Sequence, residues 1–192
     1  RAGTFTLVST KQFYGLDIDP FAAELAKVTL MLAKRIAVAE TRESDFSQQR
    51  DLPFDFEEPL PLDNLDENIR VDDALFCDWP KVHAIVGNPP FQSKNNMQTE
   101  FGHEYVSRLR ARYPDVPGRA DYCVYWFRRT HDELAPGERA GLVGTNTIRQ
   151  NFSREGGLDH IVDHGGTIYH AWSTKVWSGE AAVHVSIVNW AK

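Results

Sequence analysis

An amide, two prolines and an aromatic ring follow one another at Asn88-Pro89-Pro90-Phe91. The exocyclic amine of a purine or pyrimidine attacks poorly, because its lone pair is delocalised into the ring. Two acceptors aimed at its two N–H bonds favour a pyramidal nitrogen and free that pair. Asn88 carries a side-chain carbonyl, and Pro89 a backbone carbonyl whose direction a rigid turn would fix. Phe91 offers a flat face for an extruded base, a contact worth about 1–3 kcal/mol per base. An activated methyl donor placed opposite would complete an in-line displacement, with most of the catalysis coming from positioning. No residue nearby is a convincing proton acceptor, and the proton released can pass to water.

Such a turn needs a stiff base. Val82-His83-Ala84-Ile85-Val86-Gly87 is apolar and rich in β-branched residues, and it reads as a buried central strand. Neither proline can donate to a sheet ladder, and Pro90 biases Pro89 away from the α region. The strand therefore stops abruptly, at the carboxyl end where open α/β sheets hold their ligands. Two other segments end in acid. Gln12 to Ile18 reads as a strand, followed by Asp19 as N-cap and Pro20 at the first helical position. Asp17, at the tip of that strand, can accept from the two hydroxyls of a ribose or serve as a turn carboxylate; local sequence leaves both open. Asn68 to Leu75 reads as a short strand finishing in Asp72 and Asp73. Two acid-tipped strands beside the proline turn make a coherent ligand edge.

The helix after Pro20 is expected to reach about Ala39, with Phe21, Leu25, Val28, Leu32 and Ile36 forming one apolar face for a sheet. Glu40 to about Glu67 is polar, acidic and proline-containing, a long connection at the rim. Helices are expected over Glu100 to Arg112 and Ala120 to Leu134. The second should bury Cys123, Val124, Phe127, His131 and Leu134, His131 as a satisfied core histidine. Strands follow at Ala140 to Thr145, Thr167 to Ala171 and Ala181 to Val188, with a short helix at Leu158 to Val162 and a turn at Gly165-Gly166. This ordering predicts an α/β fold, a mostly parallel doubly wound sheet with helices on both faces.

With 192 residues and 42% hydrophobic content, one domain with a substantial core is the default. No apolar run approaches a membrane span, and Cys77 and Cys123 fit neither a disulfide framework nor a zinc pattern, so a reducing cytoplasm is expected. His160 and His164 lack a third ligand in a known metal pattern. The net charge of −6 argues against a simple basic nucleic-acid binder, although Arg108, Arg110, Arg112, Arg119, Arg128 and Arg129 cluster. The preferred reading of that cluster is a solvated helix face.

Gly87-Asn88-Pro89-Pro90-Phe91 resembles the Asn-Pro-Pro-aromatic motif of amino-group DNA methyltransferases, which use S-adenosylmethionine. The resemblance makes Asn88, Pro89, Pro90 and Phe91 the catalytic turn. Asp17 in Gly15-Leu16-Asp17-Ile18-Asp19-Pro20 is similar to the acid that holds the cofactor ribose, with Ile18 beside it. Asp73, followed by Ala74 and Leu75, resembles the position that contacts the cofactor adenine. The motif order is that of adenine-N6 enzymes. Arg119-Ala120-Asp121-Tyr122, Gly144-Thr145-Asn146-Thr147-Ile148-Arg149-Gln150 and Gly179-Glu180-Ala181-Ala182-Val183-His184-Val185 look like the MmeI-like branch, which joins a methyltransferase to a restriction nuclease. The resemblance covers nearly the whole chain and implies a Rossmann-like class I methyltransferase core over residues 1–192 acting on double-stranded DNA.

Two departures stand out. The glycine-rich loop expected after the first strand of that fold is missing, Arg1-Ala2-Gly3-Thr4 being no substitute, and no target-recognition or nuclease domain follows. The expectation is a catalytic core, incomplete at its N-terminus and taken from a longer protein, that binds the cofactor weakly by itself and reads no DNA sequence. Cytosine-N4 transfer uses the same amine chemistry, and protein-glutamine methyltransferases share the turn. A non-catalytic nucleic-acid-binding relative would keep the fold.

Overall fold

The computed structural model describes residues 8–46, 64–176 and 184–192, and of residues 38–46 the backbone alone. The expectations placed on residues 1–4, on most of the 40–67 connection and on Gly179 to Val183 lie outside the described residues. The chain divides into two compact units, Arg1–Asp78 and Trp79–Lys192.

In the first unit a 3₁₀ turn at Thr10–Gln12, closed by a reciprocal Ser9–Gln12 capping box, precedes a shorter strand than expected, β1 (Gly15–Asp17). The Asp19 carboxylate accepts from the Phe21 N–H at 2.9 Å and starts α1 (Pro20–Phe46) where the Asp-Pro pair predicts. The helix outruns its expected end near Ala39, since no glycine or proline interrupts it before Phe46. β2 (Ile69–Val71) pairs parallel to β1, Gly15 opposite Ile69 and Asp17 opposite Val71.

The helix buries the opposite side from the one its pattern suggests. Ala23, with Ala26, Leu30 and Met31, packs on Leu65 and Ile69. Phe21, Leu25, Val28, Leu32 and Ile36 are all exposed, Phe21 by 73%. Periodicity identifies an apolar stripe, but which stripe is covered depends on the partner. Here the two-stranded sheet offers little surface, and the small side chains of Ala23 and Ala26 let the helix approach it.

The second unit holds β3 (Ala84–Gly87), α2 (Met97–Phe101), α3 (His103–Arg112), α4 (Val124–Glu133), β4 (Arg139–Thr145), α5 (Asn151–Arg154), α6 (His160–Asp163), β5 (Thr167–Val176) and β6 (His184–Ala191). The sheet order is β3-β4-β6-β5. Only β3 and β4 are parallel; β6 runs antiparallel to both β4 and β5. The two-stranded sheet is parallel, whereas the four-stranded sheet is mixed where a mostly parallel one is expected. The reason is the short span from Val176 to His184, which is too few residues for the crossover that parallel neighbours require.

Among the described residues β3 stands at the edge of its sheet, where its composition predicts a buried central strand. It pairs with β4 alone among the described residues, and Val86 is 83% exposed. Gly102, at φ 80°, divides the single helix expected over 100–112 into α2 and α3. Between α5 and α6 the chain makes a π turn at Glu155–Asp159, so the expected short helix becomes the end of a longer irregular one. α4 buries the predicted face, Cys123, Val124, Phe127, His131 and Leu134. Phe127 stacks on Trp190 with ring centroids 5.7 Å apart, joining the helix to the sheet. No helix among the described residues is long and apolar enough to cross a membrane.

Candidate functional site

The proline turn leaves the sheet directly after the last rung of the β3–β4 ladder, Gly87 opposite Leu142. A Cβ at Gly87 would meet Leu142 Cδ2 at 3.1 Å, so glycine keeps the two strands close where the turn begins. Pro89 is buried, whereas Asn88 and Pro90 are exposed and Phe91 is half-buried. The turn is pinned by a proline ring and presents its amide outward.

Beyond Phe91 the chain is held at two points. The Gln92 carbonyl accepts from the Tyr122 N–H at 3.0 Å. The Lys94 N–H donates to Asp121 Oδ1 at 3.1 Å. Asp121 is 8% exposed. Its Oδ2 accepts from the Thr147 hydroxyl and, at 3.4 Å, from the Thr145 hydroxyl, while its own N–H donates to Ser153 Oγ at 3.0 Å. Burial pushes the Cys123 thiol up, so it stays S–H, 3.6 Å from Thr145 Oγ1. Sequence reasoning assigned no role to Asp121, Thr145, Thr147 or Ser153. The available signal was an acid set among Ala120, Tyr122, Cys123 and Val124, in a run otherwise fit for burial.

An aromatic group packs around this clamp. Tyr122 lies 4.5 Å from the Phe101 ring and 4.7 Å, edge-on, from Trp126, and its hydroxyl is 2.6 Å from that of Tyr105. Across the sheet edge, Ser186 Oγ donates to Asn146 Oδ1 at 3.2 Å, and Arg149 reaches Thr174 Oγ1 at 3.2 Å.

The predicted cofactor residues belong to the first unit and sit together at its strand tips. The Asp72 N–H donates to the Asp17 carbonyl at 2.9 Å, so the two acidic tips run side by side. Asp17 is exposed, and its Oδ1 accepts from the Asp19 N–H at 2.9 Å, which realises the turn reading for that oxygen. Ile18 beside it is 72% exposed. Asp73 Oδ1 accepts from the Leu75 N–H at 2.9 Å, and Asp73 and Ala74 are half-buried.

The arginine cluster is not one solvated face. Arg108, Arg110, Arg112 and Arg119 are exposed, but Arg129 is 4% exposed, with its guanidinium carbon 4.8 Å from the Trp79 ring centroid and a nitrogen 3.5 Å from Glu133. Arg128 bridges Asp115 and Asp132. His131 is fully buried, yet only Nε2 has a partner, the His164 carbonyl at 3.3 Å; Nδ1 has none. The His160 and His164 rings lie with centroids 3.9 Å apart, tilted by 33°, and His160 Nε2 is 3.1 Å from Asp132 Oδ1.

The model of the family described as MmeI, DNA-methyltransferase domain, matches residues 2–192. The chain is 31% identical over 102 residues to a Type II methyltransferase, M.XhoI, of Xanthomonas vasicola, an alignment covering 47% of this chain and 18% of that protein. It is 22% identical to DNA methyltransferase A of Bacillus subtilis (strain 168), over 94% of this chain and 20% of that one. The structure of the Type IIL restriction-modification enzyme MmeI in complex with DNA superposes with a TM-score of 0.64 and 23% identity, over 96% of this chain and 25% of that one. That likeness is one of fold. The chain spans a fifth to a quarter of the length of these relatives.

Proposed function

Because the chain belongs to the MmeI DNA-methyltransferase domain family, we propose that it transfers a methyl group from S-adenosylmethionine to the exocyclic N6 of an adenine rotated out of double-stranded DNA, within a restriction–modification system. The observation that carries this reading is the turn itself. Asn88 is exposed at the end of β3, on a turn anchored by buried Pro89 and followed by half-buried Phe91.

In this reading the Asn88 side-chain oxygen and the Pro89 carbonyl accept the two N6–H bonds, turning the lone pair out of the ring plane. Phe91 supports the face of the extruded base, whose removal from the stack costs a few kcal/mol that stacking and hydrogen bonding recover. When bound, S-adenosylmethionine would supply an electrophilic methyl group carried on a sulfonium sulfur, with a neutral thioether as the leaving group. The N6 proton passes to water. Asp17 and Ile18 would hold the ribose side of the cofactor, and Asp73 and Ala74 its adenine. The fit rests on two observations: the acidic tips of β1 and β2 are adjacent, and Asp17 keeps one carboxylate oxygen outside its turn bond.

The parallel β1–β2 and β3–β4 pairs support assigning residues 1–192 to one Rossmann-like, doubly wound methyltransferase core. DNA sequence recognition and any cleavage are assigned to other parts of the full-length protein, which would act in the cytoplasm. The test is transfer of a labelled methyl group to duplex DNA by the full-length protein, followed by digestion to nucleosides. Label in N6-methyladenine is expected. Label in N4-methylcytosine, or in protein glutamine, would overturn the adenine assignment.

A further inference from the structure

We propose that Asp121 is a positioning residue for methyl transfer, acting through the segment Phe91 to Lys94 on the Asn88–Phe91 turn; the proposal rests on the function assigned above. The turn has two ends. Its first is fixed by the β3–β4 ladder at Gly87. Its second runs into Gln92 to Gln98, a polar stretch that on composition alone would wander.

Two hydrogen bonds prevent that. Gln92 is held by the backbone of Tyr122, and Lys94 by the Asp121 carboxylate. Asp121 is itself fixed from two other segments, by Thr145 at the tip of β4 with Thr147 just past it, and by Ser153 in α5. Both ends of the turn are therefore referenced to β4, one through the ladder and one through a buried carboxylate. A misplacement of about 1 Å in a near-attack geometry can cost about 100-fold in rate. A carboxylate that fixes where the turn ends is placed to prevent such a loss.

The bond pattern suits a carboxylate and tolerates the amide of the same shape. The two oxygens of Asp121 take a backbone N–H and two hydroxyls, all donors, and the Cys123 thiol can donate onto Thr145 behind them. Charge-assisted bonds of this kind are shorter and stronger than neutral ones. Asparagine in its place can keep the Lys94 bond through its carbonyl, with the threonine hydroxyls rotating to accept from its amide. Alanine keeps neither.

The experiment is steady-state methyl transfer to duplex DNA by the full-length protein and its Asp121→Ala, Asp121→Asn and Thr147→Val variants, with amide exchange read at Gln92 to Lys94. Asp121→Ala should lower kcat about 100-fold, leave KM for S-adenosylmethionine within about twofold, and speed exchange at Lys94. Asp121→Asn should recover most of the turnover. If Asp121→Ala does not fold, Thr147→Val carries the same test, with an intermediate loss of kcat. Wild-type kcat in either the alanine or the valine variant overturns the proposal. So does a proportional rise in KM, or no recovery by asparagine, because either marks a merely structural residue. No methyl transfer by the unmutated protein overturns the function itself and this proposal with it, an outcome distinct from a loss confined to the variants.

Discussion

His131 should make the second unit lose stability as the solution is acidified from neutral pH. The side chain is fully buried, and burial is the main reason its pKa lies below the ordinary histidine value of 6.5. The His164 carbonyl opposes that shift, Lys192 and His160 reinforce it, and Asp132 opposes it weakly. The geometry agrees with the direction. With Nε2–H donating to His164 O at 3.3 Å, the remaining basic nitrogen is Nδ1, which has no partner; a proton there would be a buried, unsatisfied donor. The unfolded chain takes up a proton on this ring below about pH 6.5, and the folded chain resists it. The unfolded state therefore binds more protons, and stability falls as pH drops below that value.

One proton sets the ceiling on the slope, about 1.4 kcal/mol per pH unit. Asp132 does not share the window. Burial opposes its ionisation, but hydrogen bonds from His160 and Arg128 hold its carboxyl below the ordinary 3.8. Its contribution is complete above that value and is lost only in stronger acid. Urea unfolding at pH 7.5, 6.5 and 5.5 should show the slope, and His131→Gln, which keeps a donor toward His164, should flatten it. The difference between the two proteins reads His131 together with its contact to the His160 ring, whose centroid lies 5.5 Å away. Parallel pH profiles for wild type and variant would refute the reasoning.

Asn88→Ala should abolish methyl transfer and leave the near-ultraviolet circular dichroism unchanged, because the side chain is exposed; retained turnover would remove Asn88 from its role. Phe127→Ala deletes a fully buried ring stacked on Trp190 and should cost about 3–5 kcal/mol in urea unfolding. Arg129→Ala removes a buried guanidinium from the face of Trp79 and should cost about 2 kcal/mol, with a shift in tryptophan emission. Gly166→Ala places a Cβ 2.6 Å from the Ile161 carbonyl oxygen and 2.9 Å from the His131 ring, and should cost about 1–3 kcal/mol in the same assay.

The proline turn, the Asp19–Pro20 helix start and the buried face of α4 are legible in the sequence because each is encoded within one or two turns of chain. Missing N–H groups, a capping carboxylate and a run of apolar side chains act on their own neighbours. The errors have a different origin. The stripe from Phe21 to Ile36 announces which side of α1 is apolar, but cover is supplied by whatever packs there, and Ala23 and Ala26 win because small side chains suit the narrow sheet they meet. Arg129 looks like its exposed neighbours until Trp79, 50 positions earlier, lies under it. β3 has the composition of a central strand and one described neighbour, so composition reports how much cover a strand favours rather than how much it receives.

Asp121 is the sharpest case. Its partners lie 27, 24, 26 and 32 positions away, at Lys94, Thr145, Thr147 and Ser153, so no window of sequence contains the interaction. The chemistry of the Asn-Pro-Pro-Phe turn can be written in four consecutive residues, since acceptors and a stacking face are properties of residue types. Its stiffness cannot. Proline fixes angles within the turn, but the far end must be fixed in space by something outside it, and only the folded chain brings a buried carboxylate to that point.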